Sequence, residues 1–105
     1  MAQTVYFLNN LHNNIDPRDY EDWIRRVDYP IARKQESIVS YVVARLDGTV
    51  DGKEESPYDY LETIEITDID AYRDGMKGNP EFDQLLKEWS TYVAESVMVY
   101  GEIIE

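Results

Sequence analysis

The sequence predicts an α+β fold in which four antiparallel strands share one sheet and the helices lie on a single face of it. Three observations carry this. Runs of β-branched and aromatic residues alternate with stretches of helical period in the order βαββαβ. The connections are short, apart from one polar, glycine-containing segment at residues 47–57. The 105 residues are 43% hydrophobic, with nine Tyr and two Trp, enough for one compact core spanning residues 1–105.

Residues 2–9 (AQTVYFLN) form an apolar run of strand formers, closed by the turn-tolerant NNLHNN segment. Asp16 then suits an N-cap and Pro17 the first helical position, while Tyr20, Trp23, Ile24, Val27 and Ile31 recur at helical spacing. Pro30 falls inside that stripe, where it removes a backbone donor, so a kink or an early end is expected near Tyr29. Residues 37–46 (SIVSYVVARL) and 58–67 (YDYLETIEIT) read as an antiparallel pair of strands. Thr67 with Asp70 resembles a capping box for a short helix ended by Gly75 and Gly78. Asn79-Pro80 opens another helix, with its apolar stripe at Phe82, Leu85, Leu86, Trp89 and Tyr92. Residues 95–104 (ESVMVYGEII) close the chain as the fourth strand, with Gly101 suggesting a bulge.

This order is the split βαβ, or ferredoxin-like, arrangement. The second and fourth strands are apolar at both parities: Val39, Tyr41 and Val43 answer Ile38, Val42, Ala44 and Leu46, and Met98, Tyr100 and Ile104 answer Val97, Val99 and Ile103. A half-solvated sheet alternates apolar with polar. The open face therefore calls for a cover, and a second copy of the chain supplies one, giving a homodimer of dimeric α+β barrel type.

Composition narrows the functions further. Ten Lys and Arg against 22 Asp and Glu give a formal charge of -12, which argues against a nucleic-acid partner. No segment has the length and apolarity of a membrane span, and the amino terminus lacks the pattern of a secretory signal, so no membrane partner and a cytoplasmic location are expected. The absence of Cys excludes disulfides and thiolate chemistry and suits a reducing compartment. One His with scattered carboxylates shows no metal-ligand spacing, and no glycine-rich phosphate loop implies a nucleotide-type cofactor.

Several runs together resemble the RedY-like family: WIRRVDYP at 23–30, SIVSY at 37–41, YDYLE at 58–62, DIDAY at 68–72 and Glu88-Trp89. The order and spacing of these runs, over essentially the whole chain, carry the resemblance. It implies the dimeric α+β barrel superfamily and an association with bacterial prodiginine (tripyrrole pigment) pathways. The activity it implies is building or closing a pyrrole-type ring by cyclisation with loss of water.

The residues themselves offer candidates for such chemistry. His12 alone has an ordinary pKa near neutrality, so it is a candidate acid or base, or else an exposed loop residue. Asp28, beside Tyr29 and the Pro30 break, could accept a proton or orient a ligand, or simply pair with Arg25 or Arg33. Arg33 could bind a carboxylate or thioester oxygen. Glu62 shares strand parity with Tyr60, Ile64 and Ile66, which would bury it and raise its pKa, unless it reaches water at the strand end. Trp23, Tyr29, Tyr41, Tyr60, Tyr92 and Tyr100 offer flat rings around an aromatic or pyrrolic ligand, or packing in the core or a dimer interface.

The reading that follows is a cofactor-free, homodimeric cyclase or dehydratase using His12, Asp28 and Glu62 at one cleft. Its rivals are a cofactor-independent monooxygenase and a non-catalytic binding protein for a reactive intermediate.

Overall fold

The computed structural model describes residues 2–105. In chain order the elements are β1 (Gln3–Leu11), α1 (Pro17–Trp23), a π-helical turn (Ile24–Asp28), α2 (Tyr29–Arg33), β2 (Ile38–Arg45), β3 (Tyr60–Ile66), α3 (Ile69–Met76), α4 (Pro80–Tyr92) and β4 (Val93–Glu102). The strands form one sheet of order β2-β3-β1-β4, with every neighbouring pair antiparallel. The ferredoxin-like α+β fold is thus present, with its helices against one face of the sheet.

Strand alternation decides which side chains meet the helices. Along β3, Tyr60, Glu62, Ile64 and Ile66 are buried while the residues between them are half-buried. Pairing carries that face across the sheet to Val5, Phe7 and Asn9 on β1 and to Tyr41 and Val43 on β2. A register shift between Ile38 and Ser40 sets Ile38 opposite Ile66, so Ile38 joins Tyr41 on the helix face and not Val42 as strict alternation suggested. The opposite face presents Val42, Ala44, Leu61, Tyr6, Leu8, Val97 and Val99, and none of the helices covers it. Val42 is 55% exposed and Val99 50%.

Local chemistry accounts for the helix ends. The Asp16 carboxylate accepts the Arg18 N–H at 2.9 Å, with Pro17 at the first helical position. Asn79 likewise accepts the N–H groups of Glu81 and Phe82. For α3 the cap is Asp68, which accepts the Ala71 N–H at 2.8 Å, in place of Thr67. Pro30 does not end the first helix. Tyr29 N–H reaches back five residues to the Ile24 carbonyl, and the widened turn is followed by regular helix through Arg33. This π turn inserts one residue into the helical count. The inward positions become Tyr20, Trp23, Ile24, Asp28 and Ala32, all buried, while Val27 and Ile31 are displaced to half-buried sites. At the other end, α4 passes directly into β4. The bulge this requires lies at Ala94, since Leu11 pairs with Val93 and Asn10 with Glu95, whereas Gly101 pairs regularly with Thr4.

Candidate active site

Between the helix face of the sheet and the helices lies a half-open pocket. Phe7, Ile64, Tyr72, Phe82, Leu85 and Trp89 form much of its wall, and Asp28, Tyr41 and Glu62 supply its polar floor. Most of the lining is apolar, the pattern of a pocket that holds an organic ligand by its rings and orients it by few polar groups.

The floor is a connected chain of acids. The π turn aims Asp28 inward, β2 places Tyr41 beneath it, and Glu62 sits on the neighbouring strand β3. The Tyr41 hydroxyl lies 2.5 Å from Asp28 Oδ2 and 2.7 Å from Glu62 Oε1. A phenol has one proton to donate, so it can satisfy one carboxylate only. The second close contact requires another proton, carried by a carboxyl group that donates to the phenol oxygen. The three side chains hence share two protons and one negative charge.

The surroundings decide where each resides. Glu62 Oε2 accepts from Asn9 Nδ2 at 2.5 Å and from Trp89 Nε1 at 3.3 Å, in addition to Tyr41 at Oε1. Asn9 is fully buried and is itself fixed by Ser96, whose hydroxyl donates to its Oδ1 at 2.5 Å. Asp28 has the Tyr41 contact alone among these. Hydrogen bonds to a carboxylate favour its charged form, so the charge rests on Glu62 and the proton on Asp28. Burial pushes the Asp28 carboxyl up to about 7, against the Tyr41 hydrogen bond that lowers it and the nearby Glu62 charge that raises it further. Burial raises Glu62 as well, offset by Tyr41, Asn9 and Trp89. The Tyr41 phenol is driven well above its ordinary value by burial and by the two acids. An acid and a base joined through a phenol are equipped to give one proton and take another.

The structure brings Asp28, Tyr41 and Glu62 together and places the other candidates elsewhere. His12 lies on an exposed turn after β1, its Nε2 3.1 Å from the Ser90 carbonyl oxygen, and does not line the cavity. Trp23 is buried, donates from Nε1 to Glu88 at 3.1 Å and packs against Tyr20 and Tyr92. Tyr60 packs on Tyr20 and donates to Glu21 at 2.7 Å. Tyr29 accepts the Val43 N–H at 2.8 Å and stands edge-on to Tyr41. Arg33 holds its guanidinium 3.9 Å over the Tyr29 ring and donates to the Tyr41 carbonyl oxygen, bracing the floor from outside. Tyr100 is exposed on the edge strand. Asn9 and Trp89, which hold Glu62, were not among the residues singled out for chemistry. A polar side chain on the inward parity of a strand, and an indole one turn from the end of the stripe, were the available signals.

Comparison with known proteins follows the same lines. A family model described as REDY-like protein HapK matches residues 3–104. The crystal structure of HapK from Hahella chejuensis superposes with a TM-score of 0.80 at 26% identity, over 97% of this chain and 92% of that one. Hydroxynitrile lyase from Passiflora edulis is similar in fold alone, with a TM-score of 0.77 at 10% identity over 99% and 94% of the two chains. So is a protein from Thermobifida fusca described as dimeric and ferredoxin-like, at 0.69 and 17% over 98% and 92%. Among curated proteins none matches the sequence significantly. With its fold shared and nearly its whole length matched, the chain belongs to the REDY-like protein HapK family.

Proposed function

We propose that the chain serves prodiginine-type biosynthesis as a cofactor-free cyclase or dehydratase acting on a pyrrole or bipyrrole precursor. The observation that carries this reading is the buried Asp28–Tyr41–Glu62 chain on the floor of an apolar cavity. Family membership supports the pathway part of this reading. Loss of water from a ring-closed precursor needs a base to remove a C–H proton beside a carbonyl and an acid to protonate the departing hydroxyl. Glu62 takes the first proton and Asp28 delivers the second, so hydroxide leaves as water. Tyr41 then passes its own proton to Asp28 and receives the one held by Glu62, which restores the starting state without net proton exchange.

The same reading makes the working unit a homodimer, with the uncovered sheet face of one protomer packed on that of its partner. Exposed Val42, Val97 and Val99 on that face support it, as does the dimeric description of a protein of like fold.

The test is incubation with carbonyl-bearing pyrrole and bipyrrole precursors, followed by mass spectrometry for loss of water. Asp28→Asn and Glu62→Gln should each slow the conversion by roughly 10² to 10⁴ while the protein stays folded. Unchanged ligand with saturable binding would instead establish a binding protein, and stoichiometric consumption of dioxygen an oxygenase.

A further inference from the structure

The cavity that holds the acid pair has a charge character that its catalytic use does not explain. Its lining includes two carboxyl groups and, among the described residues, no Lys, Arg or His. Both carboxyls are deeply buried, Asp28 at 5% exposure and Glu62 at 4%. Arg33, whose charge reaches Asp28 and favours its ionised form, is itself engaged outside the cavity, over the Tyr29 ring and on the Tyr41 carbonyl oxygen. The other titratable groups that face the pair are phenols, Tyr20 from α1, Tyr41 from β2 and Tyr72 from α3, while β1 and α4 contribute Asn9, Phe7 and Trp89. The pair's negative charge thus has no counter-ion in the cavity. Around it stand the rings of Phe7, Tyr72, Phe82 and Trp89, with Phe7 and Trp89 set edge to face at 6.1 Å between centroids and 74° between planes.

Aromatic faces attract cations through their quadrupole, and a buried carboxylate does so through its full charge. Aromatic rings lining a cavity that holds a carboxylate and no cationic side chain match a flat organic cation and are mismatched to an anion. The geometry points to a cavity selective for planar nitrogen heterocycles that carry positive charge when bound, such as a protonated imine conjugated to a pyrrole. This assignment rests on the acid pair being the functional site and adds the class of ligand to it.

A charge series of small probes tests it: N-methylpyridinium, toluene and benzoate, nearly equal in shape and differing in charge. The readout is the two indole N–H resonances, because Trp89 lines the cavity whereas Trp23 is buried outside it. N-methylpyridinium should shift the Trp89 signal saturably, leave Trp23 unmoved, and bind roughly tenfold more tightly than toluene, with benzoate weakest. In Glu62→Gln, checked for folding by an unchanged Trp23 signal, the preference for the cation over toluene should fall to roughly twofold or less. Toluene or benzoate binding as tightly as the cation in the wild-type protein would overturn the assignment, and so would the failure of all three to move Trp89 at millimolar concentration. The wild-type ranking decides the matter even if the variant does not fold. Cation preference without turnover of any pyrrole precursor would retain the ligand class and remove the catalytic reading; turnover without cation preference would do the reverse.

Discussion

Replacing Asp28 with Asn should make the protein more stable above neutral pH, and the size of the gain follows from the site. Burial raises the Asp28 carboxyl from its ordinary 3.8 to about 7. The folded state therefore holds a proton that the unfolded state has lost across that window, and stability must fall as pH rises through it. Between pH 5 and pH 8 the relevant interval ends at about 7, and at 1.36 kcal/mol per pH unit the wild-type protein forfeits about 3 kcal/mol through this group. Asparagine reproduces the protonated acid in shape, and its amide can donate to the Tyr41 oxygen as the carboxyl proton did. Urea unfolding of both proteins at fixed protomer concentration, at pH 5 and pH 8, gives the difference directly. The gap between the variant and wild type should widen by about 3 kcal/mol toward pH 8 in favour of Asn. Acids whose pKa is lowered, such as Glu21 through its Tyr60 hydrogen bond, are ionised in both states at these pH values and cancel. A gap independent of pH, or one that shrinks toward pH 8, would show that Asp28 is ionised in the folded protein and refute the shared-proton assignment.

Four further outcomes follow. Glu62→Gln should leave stability at pH 7 within about 1 kcal/mol, because its amide can accept from Asn9 and Trp89 and donate to Tyr41, yet lower turnover of a pyrrole precursor by about 10² or more in a steady-state assay. Asn9→Ala should cost about 2 to 3 kcal/mol in urea unfolding, since a buried carboxylate loses a donor and Ser96 loses its acceptor. The wild-type protein should sediment as a dimer at micromolar concentration and Val42→Asp as a monomer, with a monomeric wild type ruling out the covered sheet face. His12→Ala should keep turnover within roughly twofold of wild type, given a ring that is hydrogen-bonded to the Ser90 carbonyl and lies off the cavity, and a loss of about 10² would return it to the site.

Strands and helices were legible because their periods are set by local geometry. The alternation in β3 that sets Tyr60, Glu62, Ile64 and Ile66 on one side is visible in sequence and holds in the structure. Asp16-Pro17 and Asn79-Pro80 signal helix starts for the same local reason. The misplaced features depend on what lies beyond a few residues. Thr67 and Asp68 are both competent caps, and Asp68 prevails because its extended backbone directs the carboxylate at the Ala71 N–H. A bulge was looked for at the glycine of β4, but the strain arises where α4 enters the strand without a loop, so the extra residue is Ala94.

The site was legible in its members and hidden in its arrangement, and the π turn is the reason. With regular helical spacing from Tyr20, the inward stripe runs through Ile24, Val27 and Ile31 and leaves Asp28 at its edge, where a carboxylate beside arginines reads as solvated. One inserted residue carries the stripe to Asp28 and Ala32. A sequence cannot display that insertion, because it is Pro30, four residues after the Arg26 carbonyl, that makes a regular hydrogen-bond ladder impossible there, and either a break or a widened turn would resolve it. Glu62 could be read as inward and as sharing a cleft with Asp28, but not as joined to it through a phenol, since that depends on β2 inserting Tyr41 between them. His12 attracted the role of acid or base because its ordinary pKa lies near neutrality. Burial achieves the same end from the other direction, by lifting a carboxyl into that range at a place where a phenol and a second acid can share its proton.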